Sequence, residues 1–488
     1  MKLPKVDFLI LLVFPVIISA CGGGVSKNEN DAVSAAGGDS SRVFLEGMYA
    51  TSTRVPYSEY SLDNIFDDDA GTYWSTVRGA GPDEGFVIYF PARIYVGQIE
   101  LDAATGDGLA TINRVAVYAD GHRVGNFDLS ERMPVDDNVS SLFIKIINTT
   151  QIKTENLSSE IMEDEISVER FDSTYSAGIA GMRLFNVGGE VEIIPPTMAR
   201  GSVKASSVLK PVEAYSPAQL FDSRREFVWA EGSDGNGENE TLTFKFDNDQ
   251  EVTAIKIWNG YQRSAKHFES NARIRSFDFG LKNGPKVTYD ISDTMEPVAL
   301  TLAESLRGKE FELKIREVYP GKTYKDLVVS EILFLNGSRP MILADDQREE
   351  DVKEVMKQTK GSILELYMDK RLHNEAYFES FTSDRSLILR SNRTFVLYDH
   401  MQSSDDTKRE DKEVVADGNW EIVEQSDSVA KVRIFGKLFN LSETLEYYKG
   451  NTTKEFVKIF QDNLHITRDR VKGEKFVDVF YNKLPAQL

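Results

Sequence analysis

Residues 220–229 read LFDSRREFVW, and residues 65–74 read IFDDDAGTYW. Both open on an aliphatic residue followed by Phe-Asp, and both close on a Trp 8 residues after the Phe. Behind each Trp lies a Gly-rich acidic loop, RGAGPDEG at 78–85 and GSDGNGENE at 232–240, then an alternating apolar run. Each copy closes on a similar series. Tyr175, Ile179, Leu184 and Phe185 answer Tyr324, Val328, Leu333 and Phe334, with 10 residues from Tyr to Phe in both. From Trp to that Tyr is 101 residues in the first copy and 95 in the second. A repeat of this size marks two copies of one domain. They are placed at 43–194 and 202–338, joined by a Pro-Pro linker, IIPPTMARG. The acidic stretch Glu155–Glu169 reads as an insertion on the surface of the first copy.

The runs inside the copies alternate with period two: FVIYF at 86–90, RVAVY at 114–118, TLTFKF at 241–246 and FELKI at 311–315. That is the pattern of half-buried strands. Helical periodicity is scarce, and its best candidate is 345–359. The fold class expected is all-β, with two jelly-roll β-sandwiches followed by a third β domain at 345–488. In that third domain SDRSLILRSNRTFVLY, Gly418-Asn419-Trp420 and KVRIFGKLF suggest a strand meander. It resembles a small lipocalin-like barrel.

The first twenty residues stand apart. Lys2 and Lys5 precede an apolar run of 11, Phe8–Ile18, too short to span a bilayer as a helix. Ser19, Ala20 and Cys21 follow, small residues of a signal cleavage site. Cys21 is the only cysteine, so no internal disulfide framework exists. Ile-Ser-Ala-Cys resembles a bacterial lipobox, which implies that Cys21 carries lipid after removal of residues 1–20. An ordinary secretory signal or an uncleaved anchor are the alternatives. Residues 22–42 then read as a flexible tether. Gly22 after Cys21 resembles sorting to an outer membrane, with a periplasmic or surface-exposed body.

The net charge is −21, and loss of Lys2, Lys5 and Asp7 with the leader makes it −22. That excludes nucleic acid and charge-driven binding to anionic lipid. Five His are scattered without metal-ligand spacing. Gly-x-Ser-x-Gly, a phosphate-binding loop and a spare Cys nucleophile are missing, so the chain is read as non-catalytic. A glycosidase needs only two suitably spaced carboxylates, and the chain has 78 acids.

Both copies resemble discoidin-type domains. The second is similar to the NADase-type glycan-binding domain in Ala205-Ser206-Ser207, Trp229-Ala230-Glu231-Gly232, Asn259-Gly260-Tyr261-Gln262, Asn271, Tyr319–Asp326 and Ser330-Glu331-Ile332. The first copy has LDAATGD at 101–107 where the second has Asn-Gly-Tyr, so it is expected to lack that site. The resemblance implies a glycan or glycoconjugate partner. The residues support it independently. Thr241–Phe246 and Thr253–Trp258 are expected to pair through a tight turn, which throws Trp229–Gly232 and Asn259–Tyr261 to one end. Phe311–Val318 and Leu327–Leu335 are expected to form a second hairpin around Tyr319–Asp326. The candidate ligand residues are Trp229, Glu231, Trp258, Asn259, Tyr261, Gln262, Arg263, Tyr319 and Tyr324, a mixture of flat rings and polar groups suited to sugar.

Each residue has a plainer reading. Trp74 and Trp229 fit core plugs better than platforms. Asn259-Gly260 is also what a bend needing positive φ looks like. Glu231 also suits bonds to amides of its own loop. Asp67, Asp69 and Thr72 form an acidic turn that could hold Ca²⁺ or merely be solvated; no other cofactor is implied. The rival function is an envelope or host protein-binding scaffold without a sugar site. Exposure of Trp258 and Tyr261 in one concave patch separates the two, since burial of both favours the scaffold. A third reading puts an apolar ligand inside the C-terminal barrel.

Overall fold

The computed structural model describes residues 41–481, apart from 55–56, 78–83, 151–174, 211, 213–214, 226, 370, 379–380, 392, 404–412, 440–455, 469 and 475–478. Cys21, residues 22–40 of the tether and the Glu155–Glu169 stretch lie outside the described residues, and Arg42 already begins the first strand. No helix among the described residues is long and apolar enough to cross a membrane.

The first sandwich is built from β1 Arg42–Phe44, β2 Gly47–Ala50, β3 Trp74–Ser75, β4 Gly85–Ala103, β5 Leu109–Ala119, β6 His122–Asp128, β7 Met133–Thr150, β8 Ser176–Asn186 and β9 Gly189–Ile194. The second contains β10 Thr197–Ala205, β11 Trp229–Ala230, β12 Thr241–Asn259, β13 Arg273–Leu281, β14 Lys286–Asp290, β15 Val298–Tyr319, β16 Val328–Asn336 and β17 Arg339–Asp345. The copies share one pairing scheme, with β10 taking the places of both β1 and β2. β1 runs parallel to β9, as β10 does to β17. β3 pairs with β8 at Trp74↔Ile179, and β11 with β16 at Trp229↔Val329. Ile179 thus answers Val329 and not Val328; the closing series is one residue out of the register read from sequence.

The second sandwich is longer than its expected 202–338. Residues 197–201 pair with 341–345, because the strand starts directly after the two prolines and its partner runs to Asp345. The expected hairpins are also replaced. β12 is one strand of 19 residues, and it pairs along its length with β15, from Thr241↔Lys314 to Ile257↔Val298. The Asn-Asp-Gln stretch is a bulge between Lys245 and Gln250, not a turn. A bulge bends a ladder, and here the ladder folds over. Its first half is flanked by β10 and its second by β16. Phe244 of the first half meets Phe334 of β16 edge to face at 5.1 Å. The two halves therefore face each other across one core, the jelly roll. β16 pairs with β11, β12 and β17 and not with β15, so Tyr319–Asp326 links the two sheets.

Phe244, Phe246, Phe277, Phe279, Phe311 and Phe334 fill that core, all but excluded from solvent. Burying one such ring contributes about 1.5–3 kcal/mol. The third domain follows the helix Asp346–Thr359, in the expected place. Its eight strands, β18 Arg371–Phe378, β19 Phe381–Leu389, β20 Thr394–Ser403, β21 Glu413–Gln425, β22 Val429–Phe439, β23 Phe456–Thr467, β24 Arg470–Gly473 and β25 Val479–Tyr481, close into a barrel. Among the described residues Leu364, Tyr367, Phe395 and Trp420 pack its interior. Val77 of the first sandwich packs on Ile388 and Val396 of the barrel, and Arg390 Nη2 donates to Thr51 O at 2.8 Å.

Candidate functional site

β16 gathers the motifs of the second sandwich. Val329 is paired with Trp229 on one side and with Asn259 on the other. The Trp-Ala-Glu-Gly and Asn-Gly-Tyr stretches thus meet at one end of the sandwich, as expected, through a shared strand and not through a hairpin.

Several candidates at this end serve the fold. Trp229 is fully buried, and its Nε1 donates to Ser207 O at 3.1 Å. Trp74 repeats this contact with Ser52 O, also at 3.1 Å, so both indoles are core plugs. Asn259 is buried; its Nδ2 donates to Ile274 O at 2.7 Å and its Oδ1 accepts from Ile274 N at 3.0 Å. It clamps β12 to β13. Gly260 has φ +71°, and a Cβ there would lie 2.8 Å from Arg273 Cγ. Glu231 is buried and accepts at Oε2 from Ser233 N at 2.7 Å and Ser233 Oγ at 2.8 Å. Tyr319 is half-buried, with its hydroxyl on Ile291 O at 3.0 Å.

Trp258 faces elsewhere. It shares a face of β12 with Lys256, whose Nζ lies 5.1 Å from the indole centroid. That face is covered by the first sandwich. The Arg225 guanidinium sits between two rings, 4.4 Å from Trp258 and 4.3 Å from Tyr89 of the first sandwich. Its Nη2 donates to Glu46 Oε2 at 3.0 Å, and Lys256 Nζ donates to Glu46 Oε1. Glu46 is almost fully buried, so it depends on these two cations. Gly47 lets Ser223 approach, and Met48 N donates to Ser223 Oγ at 3.2 Å. The space left here, between Glu46, Trp258 and Glu331, is water-sized. Trp258 is 3% exposed, which corrects its placement as an open platform. The covering residues lie far away in sequence.

What remains at the loop end is a compact polar and aromatic group. Tyr261 is 7% exposed and packs with Val228, Ala230, Val328, Leu209 and Tyr215. Its ring centroid is 4.9 Å from that of His267, and its hydroxyl accepts from Arg263 Nη1 at 3.4 Å. Arg263 is buried beneath. Gln262 is half-buried; its backbone N donates to Ser330 Oγ at 2.9 Å, and its Nε2 to Asn259 O at 2.6 Å. Tyr324 alone among the candidates stands well out, 55% exposed. Tyr215 and Asp326 join them and were missed by the candidate set. Burial pushes the Tyr215 phenol up to about 12; the charges of Tyr261, Asp326 and Tyr324 add to this, and Arg263 opposes it. Tyr215 lies in a loop without periodicity, where no sequence signal marks it. Asp326 belongs to the quoted Tyr319–Asp326 motif and was legible there.

The Asp67–Thr72 turn is occupied with itself. Asp67 Oδ1 accepts from Asp69 N at 2.9 Å, Asp69 Oδ1 from Gly71 N at 2.8 Å, and Asp67 Oδ2 from Thr72 Oγ1 at 2.6 Å. Asp68 has φ +58°, as does Ser223 in the second copy. There Asp222 Oδ1 accepts from Arg224 N at 2.8 Å. The turn recurs with Ser223 and Arg224 in place of Asp68 and Asp69, so its shape does not require a cation. Among the described residues no three His, Cys, Asp or Glu side chains are grouped as a metal site.

Residues 197–335 match the NAD glycohydrolase translocation F5/8 type C domain family. No curated protein matches the chain. Among solved structures, the CBM32-1 and CBM32-2 domains of Clostridium perfringens ZmpB, in complex with GalNAc, are 12% identical, with 59% of this chain and 89% of that one covered and a TM-score of 0.23. The family 32 CBM of Clostridium perfringens NanJ, in complex with galactose, is 15% identical over 28% of this chain and 92% of that one, TM-score 0.22. The mycobacterial arabinofuranosyltransferase AftD is 9% identical; the alignment spans 80% of this chain but 38% of that one, TM-score 0.24. Likenesses of this size carry no argument about ligand or activity. The family match and the pairing order together make the second sandwich a discoidin-like domain of the F5/8 type C kind, and the first its structural repeat.

Proposed function

We propose that this chain is a lipid-anchored, non-catalytic protein of the bacterial envelope that binds glycan or glycoconjugate at the loop end of its second sandwich. The observation that carries the reading is the exposed Tyr324 ring, on the segment with Asp326 that is bonded through its backbone to Ser270 and Ala272, at the end of the sandwich that holds Tyr261 and Arg263. A phenol ring standing in solvent offers a flat face to sugar C–H groups. Asp326 and the half-buried Gln262 supply hydroxyl partners on rigid strand ends. The discoidin-like fold is a binding-module fold, which agrees with this use. Anchoring rests on the apolar run before Cys21 and on Ile-Ser-Ala-Cys.

One observation favours the rival, a protein-binding scaffold. Trp258 and Tyr261 are both buried, which leaves a smaller open platform than the sequence suggested. A glycan-array screen of the folded chain from residue 22 decides between them. Retention of a defined set of glycans supports the sugar reading. A folded protein that retains none supports the scaffold.

A further inference from the structure

The first sandwich does more than precede the second. Trp258, held by Glu46 through Arg225 and Lys256, is followed directly by the loop Asn259–Arg263. In the ladder Trp258 is paired with Glu331, and the register shifts between Trp258 and Asn259. A bulge therefore separates the interface residue from the loop, and bulges re-aim the residues next to them. The partner strand repeats this arrangement. Glu331 Oε1 accepts from Ser223 N at 3.2 Å on the interface side. Its neighbour Ser330 accepts from Gln262 N and donates to Gly260 O, both at 2.9 Å, on the loop side.

We propose that the first sandwich positions the binding loop of the second, with Glu46 as the positioning residue. Glu46 fixes Arg225 and Lys256 against Trp258, and the Trp258–Glu331 pair in turn sets the loop 259–263 through Ser330. The first sandwich is then a built-in buttress for a site it does not line. This coupling needs no ligand, so its failure would leave the glycan reading untouched.

The test is amide hydrogen exchange on the folded chain from residue 22, comparing wild type with Glu46→Ala. Exchange at 260–263 is expected to rise about tenfold, while β14, which pairs only with β13 and not with the loop, keeps its protection. Arg225→Lys, which keeps the charge and gives up the flat stack, is expected to produce a smaller rise at the same amides; it decides the matter if Glu46→Ala does not fold. Unchanged exchange at 260–263 in a folded variant would overturn the proposal. So would an equal rise in β14, which would mean general loosening.

Discussion

Trp74 and Trp229 occupy one and the same place in the two sandwiches, each with its indole N–H on a serine carbonyl 3.1 Å away. Each is fully buried. A buried indole N–H without a partner is costly, and both sandwiches satisfy it in the same way.

Replacing Trp229 by Phe should therefore destabilise the second sandwich by about 2 kcal/mol, through the unpaired Ser207 carbonyl and the space left by the smaller ring. Trp74→Phe should act alike on the first. Urea unfolding of each variant checks this. Near-zero cost would mean that the indoles are not plugs.

Gly260 should not tolerate a side chain. Its φ of +71° and the closeness of Arg273 and Phe268 make Gly260→Ala unfavourable on two counts. We expect a loss of about 1–3 kcal/mol in stability, with the effect centred on the loop 259–263. Denaturant midpoints and local amide exchange measure it.

Stability should fall at alkaline pH through Tyr215. Its phenol ionises near 12 in the folded chain and near 10 when unfolded. Below pH 10 both states hold the proton and the full stability is present. Between pH 10 and 12 the unfolded state gives up its proton first, so stability drops as pH rises, by up to roughly 2–3 kcal/mol. Tyr215→Phe should flatten that window relative to wild type in urea titrations at pH 9–12. An unchanged slope would show that Tyr215 is not the group responsible.

Cys21→Ser should abolish lipid attachment and release the protein from the membrane fraction. Radiolabelled fatty acid and fractionation of cells test this. Membrane retention of the serine variant would point to an uncleaved leader.

The repeat and its all-β character were legible because period-two runs and Phe-x₇-Trp spacing survive without alignment. The hairpins were misread for a physical reason. An alternating run bends across a bulge with the same residue types that a turn uses, so Asp247-Asn248-Asp249-Gln250 does not reveal whether the strand returns or continues. Trp258 was misplaced because its cover, Tyr89 and Glu46, belongs to the other sandwich. Local pattern carries no information on such a partner. The acidic turn admitted both a cation and a plain turn in sequence, and residue type alone does not reveal the bonds from its own amides to Asp67 and Asp69.

The affinity of the chain from residue 22 for its best array glycan, in wild type and in Tyr324→Ala, tests the central claim most directly. Tyr324 is exposed, so its removal leaves the fold intact. The account predicts that affinity falls about tenfold or more with an unchanged melting curve. Equal affinity in the two proteins would contradict it and would place the ligand elsewhere.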